Sequence, residues 1–401
     1  LNPLTTARDY LGLSRNVAVL GLSIFGLGLG EELWQSYLPK YLSALGASGV
    51  IIGLFASGKD LLDGLYQYPG GWIKDRFGSK RALMLFTLTA MGGYALYAVA
   101  WNWGVVFIGL LLVMAWKAGA FPTTFAIIGE ALPPGERAMA FSVQSALVRV
   151  PRVIGAPLGG WLIAAFGVES GVRVAAFITL LLALAVLITQ QRGYREQKIS
   201  AESYEPVSAR EILACMPAQL RRLLLAECLV RFGESIAAAF IVLYVLSLPG
   251  SSAPLYGLLY ALQQTVALVM YLPSGRLAAL TGSRPLIALT FLFFALFPLA
   301  VMLAGSVPAL IAAFVIGGLK EMGEPARKAL IVDLSDPAQR GRAVGVYYTI
   351  RNLLIVPAGA VGGLLWSYSP QLPLQTAGAA GLLGVIVFWL TSSKHKTNGQ
   401  D

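Results

Sequence analysis

Ionisable side chains recur inside stretches of the chain that are otherwise apolar. Glu31 and Glu32 fall within the run 17–43, Lys59, Asp60 and Asp63 within 48–70, Lys117 within 104–129, and Arg149 and Arg152 within 139–166. Glu227, Arg231 and Glu234 fall within 222–248. Lys320, Glu321 and Glu324 fall within 308–332, with Arg327 and Lys328 further along, and Arg351 within 343–367. A charge in hydrocarbon is costly, so such groups are expected to pair, to face water, or to handle substrate and protons. At 1.5 Å per residue, Glu31 lies about 21 Å into its run, and Glu234, Lys117 and Lys320 about 18–20 Å. A carboxyl group beside an ammonium is ionised while paired and can take a proton when the pair separates. That is the minimum apparatus for coupling a proton to a conformational change. Lys117, Lys320, Arg149 and Arg152 suit a carboxylate or phosphate on a substrate. A purely structural role is the alternative. Glu227–Arg231, Arg231–Glu234, Lys320–Glu324 and Glu324–Lys328 have the spacing of neighbours on one helix face.

Other chemistries find little support. The sequence contains no Gly-rich phosphate loop of the nucleotide-hydrolysing kind and no His/Cys cluster, so no cofactor, no metal and no enzymatic activity are expected. His395, the single histidine, sits in a polar tail. Trp34, Tyr37, Tyr66, Tyr347 and Tyr348 can pack an organic substrate, and serve equally well as interfacial or helix-packing residues.

The elements that must carry these residues are membrane helices. Of 401 residues, 57% are hydrophobic and only 12% charged, where a soluble domain has about 25% charged. The mean hydropathy is +0.70. About 20 apolar residues span a bilayer, and twelve such runs are expected at 17–43, 48–70, 80–100, 104–129, 139–166, 171–190, 222–248, 254–274, 284–304, 308–332, 343–367 and 373–392. The runs are apolar all round, which argues against a β-barrel.

The net charge of +10 follows topology, and gives no reason to expect nucleic acid as a partner. Lys74, Arg76, Lys80 and Arg81 lie between the second and third runs, and Arg192, Arg195, Lys198, Arg210, Arg221 and Arg222 between the sixth and seventh. Arg276, Arg284, Arg340, Arg342, Lys394 and Lys396 continue the series on the same side, whereas Lys40 and Arg173 are the main basic residues opposite. This positive-inside bias places both termini in the cytoplasm. Cys215 and Cys228 lie at the cytoplasmic approach to the seventh run, so a disulfide framework is not expected. Arg8 and Arg15 precede a first run too long for a cleavable signal core. The lack of Asn-x-Ser/Thr sequons and the short loops point to a bacterial inner membrane.

The chain also repeats itself. At an offset of 203 residues, Lys117 falls on Lys320, Pro122 on Pro325, Glu130 on Asp333, Pro134 on Pro337, Arg137 on Arg340 and Gly159-Gly160 on Gly362-Gly363. The same offset lays Gly30-Glu31 on Gly233-Glu234. One residue more lays Pro69 on Pro273, Gly78 on Gly282 and Lys80 on Arg284. Two six-helix halves are expected, 1–195 and 220–401, joined by a polar cytoplasmic linker at 196–219. Repeated halves of this kind commonly surround a midplane site to which rocking alternates access.

Gly71, Asp75, Arg76, Gly78, Lys80 and Arg81 are spaced like the loop between the second and third spans of the major facilitator superfamily, with Ser79 where a basic residue is common. Glu130-x-x-Pro133-x-x-x-Arg137, and Asp333 with Pro337 and Arg340, resemble that family's segments after the fourth and tenth spans. The resemblance covers essentially the whole chain. It implies an all-α fold of twelve membrane helices in two pseudo-symmetric halves, a cavity lined by the first, fourth, seventh and tenth helices, and transport by alternating access. Asp75 against a helix N-terminus, with Arg76, Lys80 or Arg81 reaching Glu130, would latch the cytoplasmic side in one state. In the second half, Ala279 and Leu280 stand at the Asp75 and Arg76 positions, so the first half carries the latch. Gly155-Ala156-Pro157-Leu158-Gly159-Gly160 only partly matches the family's antiporter element, its proline being one place late. Small residues there also permit close helix approach.

The expected function is proton-coupled efflux of an organic solute by a monomer embedded in lipid. Uptake of a charged or zwitterionic metabolite is the alternative. A sensor or lipid scramblase would need a signalling domain or a polar lipid groove. The residues expected to bind substrate or protons are Glu31, Glu32, Asp60, Asp63, Lys117, Arg149, Arg152, Glu234, Lys320, Glu324 and Arg351.

Overall fold

The computed structural model describes residues 15–120, 134–194, 216–334 and 340–392. Among the described residues every regular element is helical. The first span is broken: α1 (Arg15–Glu32) gives way to a 3₁₀ turn at Gln35–Tyr37 and resumes as α2 (Leu38–Ala44), with Pro39 in its first turn. Next come α3 (Gly49–Phe77), α4 (Ser79–Val99), and α5 (Trp103–Met114), which runs into a π-helical turn at Ala115–Gly119. The long helices α6 (Pro134–Phe166) and α7 (Val168–Gly193) follow.

The later residues repeat this order as α8 (Ala218–Ser247), α9 (Ala253–Thr281), α10 (Ser283–Leu303) and α11 (Val307–Leu319). The tenth span then breaks and resumes as α12 (Glu324–Asp333). The eleventh is α13 (Arg340–Ile355) and α14 (Ala358–Tyr368), and the last is α15 (Leu372–Ser392). Eight helices among the described residues are long and apolar enough to cross a membrane. Among the remaining spans, the second carries Lys59, Asp60 and Asp63, the tenth is interrupted, and the fourth is described as the shorter apolar stretch Trp103–Gly119.

The sequence repeat reappears as repeated local geometry. The Asn102 side chain accepts the Val105 N–H at 3.2 Å to cap α5, and Ser306 accepts the Ala309 N–H at 3.4 Å to cap α11. Gly78 and Gly282 each precede a helix with φ of 84° and 82°. A side chain rarely adopts that region, and glycine enters it freely. A single residue therefore makes the turn between α3 and α4. This corrects the expected loop over Gly71–Arg81: the backbone stays helical from Gly71 to Phe77. It also extends the second span beyond the expected 48–70 and the eighth beyond 254–274.

Helix pairings repeat as well. In one set α1 packs on α6 and α7, and α4 on α5 and α7. In the other α8 packs on α14 and α15, and α10 on α11 and α15. Gly159 of α6 lies against the Leu33 backbone, and Gly362 of α14 against that of Ile236, one offset later. The paired glycines therefore serve close helix approach, the packing role open to them from sequence.

The chain forms two compact units. The first contains residues Leu1–Ala47, Leu61–Ser203 and Ser252–Ala261, and the second Ser48–Asp60, Tyr204–Ser251 and Leu262–Asp401. Each unit thus includes the first turns of a helix from the other sequence half. In the second unit, Ser57 of α3 accepts the Ala360 N–H at 2.9 Å and so caps α14, which restarts after Pro357. In the first, the Tyr37 hydroxyl donates to carbonyls of Ala156 and Ala253, at 2.8 and 3.0 Å.

Candidate functional site

Helix irregularities position the charged residues of the first unit. Glu31 lies in the last turn of α1, where the backbone tightens: Leu33 N–H bonds to Gly30 O and Trp34 N–H to Glu31 O, both at 3.2 Å. Lys117 occupies the π turn at the end of α5. Such turns leave carbonyls without their usual partners and are frequent at functional sites. The two side chains meet, with Lys117 Nζ 3.1 Å from Glu31 Oε2. Lys117 also donates to Gln35, and the Tyr94 hydroxyl donates to Glu31 Oε1 at 2.6 Å. Glu31 is therefore a buried carboxylate with one cation and one phenol as partners. Beside it, Glu32 pairs with Arg152 Nε of α6 at 3.3 Å.

The equivalent pair exists in the second unit. Lys320, at the C-terminal end of α11 where the tenth span breaks, lies 2.6 Å from Glu234 Oε1 of α8. Here the pair is one edge of a larger network. Arg231 bridges Glu234 at 2.8 Å and Glu324 at 3.2 Å. Arg327 pairs with Glu324 at 2.6 Å and with Glu227, and Arg351 reaches Glu227 at 2.9 Å. The Tyr347 hydroxyl donates to the other oxygen of Glu227. The Arg231 guanidinium and Lys320 ammonium lie over the Phe294 ring at 4.6 and 4.9 Å, a placement that favours cations.

Several pairings differ from those the spacing suggested. Arg231–Glu234 and Glu324–Lys328 form as expected, the latter at 3.5 Å. Lys320 pairs with Glu234 rather than Glu324, and Glu227 is held by Arg327 and Arg351 rather than by an ion pair to Arg231. A same-helix partner competes with one on a facing helix, and the breaks turn Lys320 and Arg327 toward α8. Arg327, read from sequence as nearer the cytoplasm, is only 2% exposed and is a hub of the network.

Asp60 accepts a hydrogen bond from Ser235 at 2.9 Å within the second unit. Asp63 and Arg149 are half-buried. In the motif region, the Arg76 guanidinium lies 5.2 Å from the Trp72 ring. Lys80 is half-buried and Arg81 exposed. The backbones of Gly71, Asp75 and Arg137 are helical, but the surroundings of Gly71 and of the Asp75 and Arg137 side chains, and all of Glu130, lie outside the described residues, so the expected latch contact does too. Trp34, Tyr37 and Tyr347 are fully buried. Their partners are protein groups: Trp34 donates to Thr179 at 3.1 Å, Tyr37 to backbone carbonyls and Tyr347 to Glu227.

Sequence reasoning missed Tyr94 and Gln35 as partners of the first pair. Neither carries a charge, and in an apolar helix a tyrosine looks like packing. Tyr94 lies in a repeat register where the second half has only Phe297 and Pro298, and that asymmetry was the available signal.

Paired helix bundles with buried ion pairs at helix breaks define a class, the secondary transporters built from repeated halves. The comparisons fix the family. The model of the Major Facilitator Superfamily matches residues 17–222 and again 223–401, and the chain belongs to that superfamily. It is a membrane transporter. It is 30% identical over 301 residues to the multi-drug resistance efflux pump PmrA homolog of Lactococcus lactis, covering 71% of this chain and 72% of that one. It is 25% identical to the multidrug resistance protein MdtH of Klebsiella pneumoniae, covering 90% of each. Among solved structures, a POT family transporter crystallised with 5-aminolevulinic acid superposes with a TM-score of 0.77 at 13% identity, over 96% of this chain and 97% of that one.

Proposed function

We propose that this transporter exports organic, drug-like solutes from a bacterial cytoplasm in exchange for protons. It works as a monomer in the inner membrane with both termini inside. The observation that carries the reading is the repeated glutamate–lysine pair, Glu31–Lys117 and Glu234–Lys320, each at a helix break, with Glu31 and Lys320 buried. A carboxylate so placed exchanges its lysine for a proton when the helices move apart, which ties proton binding to conformation. The names of the relatives, which describe multidrug efflux, support the direction and the substrate class.

The test is transport of lipophilic dyes by proteoliposomes under an imposed pH gradient. Gradient-driven accumulation that collapses with a protonophore is expected. Glu31→Gln should exchange dye at equal pH yet ignore the gradient. Accumulation by that variant as strong as wild type would remove Glu31 from the coupling.

A further inference from the structure

Four tyrosines in the first unit have no exposed surface at all: Tyr37, Tyr41, Tyr94 and Tyr97. Tyr94 and Tyr97 are one turn apart on α4. Both rings pack on Trp34, with centroids 6.2 and 5.0 Å away, the second edge-on. Trp34 is itself fixed by its hydrogen bond to Thr179 of α7. The Tyr94 hydroxyl is committed to Glu31, and that of Tyr41 to the Tyr97 carbonyl at 3.2 Å. The Tyr97 hydroxyl is buried and has no hydrogen-bond partner among the described residues. An unpaired phenol in a packed interior costs free energy, and a bound water with a second polar partner is the usual remedy.

Tyr97 lies one turn from the end of α4 remote from the basic loops. At that end Arg173 donates to the Ala100 carbonyl at 2.7 Å and sits 3.5 Å from Glu169, both side chains partly in solvent. Along α4, Tyr94 at the Glu31 carboxylate is thus followed by Tyr97 on the side of this solvent-facing end, inside one unit.

We propose that the Tyr97 hydroxyl seats a water that connects Tyr94 to this end, and that Glu31 receives its proton along this tyrosine ladder rather than along the substrate path. The inference rests on the proton-coupled reading above. Tyr94 passes its hydroxyl proton to Glu31 Oε1 and takes one from the water, which is refilled from solvent. At each step one O–H bond breaks and one forms, and the only lasting change is a neutral Glu31. Tyr97 is a positioning residue, and Tyr94 is the group that hands over the proton. The charged and polar groups around the carboxylate are Lys117 from the π turn, Tyr94 from α4, Gln35 from its own span, and Glu32 with Arg152 of α6 alongside.

The experiment is a pH jump on the purified full chain, followed by time-resolved infrared absorption of the carboxyl group. The Glu31 band is identified by its loss in Glu31→Gln. Tyr97→Phe and Tyr94→Phe are expected to slow protonation by about tenfold or more, and Tyr97→Phe to leave the extent of Glu31 protonation at equilibrium unchanged. Tyr97→Phe should also lower the melting temperature, because a bridging water loses a partner. A wild-type rate in both variants, or a raised melting temperature in Tyr97→Phe, overturns the ladder while Glu31 keeps its role. A wild-type protein with no Glu31 band overturns the parent reading along with it.

Discussion

Glu227 has no solvent exposure, and its two oxygens are held by Arg327, Arg351 and Tyr347. Glu31 is nearly as buried but has a single cationic partner, Lys117. The two carboxylates therefore respond differently to neutralisation. Glu227→Gln takes the carboxylate from Arg351 and leaves Arg327 with Glu324 alone, and loss of one partner of a buried pair costs about 3–5 kcal/mol. The expected outcome is a large fall in melting temperature and in yield of folded protein, measurable by thermal denaturation in detergent. Glu31→Gln leaves only one cation to accommodate, and Lys117 retains Gln35. Its expected stability loss is smaller than that of Glu227→Gln. A reversed order would contradict the assignment of Glu227 to structure and Glu31 to coupling. Arg152→Gln separates a further pair of roles. With Glu32 its partner at 3.3 Å, a substrate anchor would lose dye binding at unchanged melting temperature. A structural arginine would lose stability at unchanged affinity, and the latter is expected here because its guanidinium already has a carboxylate.

Span interruptions are the informative feature among the elements. The first, fourth, tenth and eleventh spans are broken or loosened at Leu33–Trp34, Ala115–Gly119, Lys320–Gly323 and Val356–Pro357. Only the last break has a proline at its centre, and proline removes a backbone donor and disfavours the preceding helical residue. The helix that restarts there takes its cap from another span, through Ser57 and the Ala360 N–H. Ser57→Ala removes that acceptor and should destabilise by about 1 kcal/mol, as loss of a helix cap does. Ser57→Thr, which keeps the hydroxyl, should cost less. The comparison is a pair of melting curves, and equal losses would mean that the hydroxyl contributes nothing.

For the molecule as a whole, the basic residues cluster at one end of each hairpin, and the Gly71–Arg81 region lies among them. The first half alone carries an acid and a base at the Asp75 and Arg76 positions. Asp75→Asn removes the carboxylate expected to sit against a helix N-terminus, a placement worth up to about 1 kcal/mol. If that charge helps hold one transport state, flux should fall roughly three- to tenfold, with the melting temperature unchanged. Full dye flux by a folded Asp75→Asn protein would discard the latch.

Composition, the spacing of apolar runs and the offset of 203 were sufficient for class, span number and pseudo-symmetry, because hydrocarbon imposes one rule on every span and duplication repeats it. The same offset matched Glu31 with Glu234 and Lys117 with Lys320 before any geometry was known. Partners were another matter. Spacing along one helix could not reveal that Lys320 meets Glu234 or that Arg327 is buried, since facing helices supply those contacts and the breaks aim the side chains. Tyr94 was hidden because a phenol among apolar residues reads as packing until its hydroxyl is seen on a carboxylate. The inclusion of residues 48–60 with the second unit and 252–261 with the first was equally invisible. Chain order assigns a helix to its own half, whereas glycine-lined surfaces such as that between Gly53 and Gly363 decide which neighbour a helix end touches.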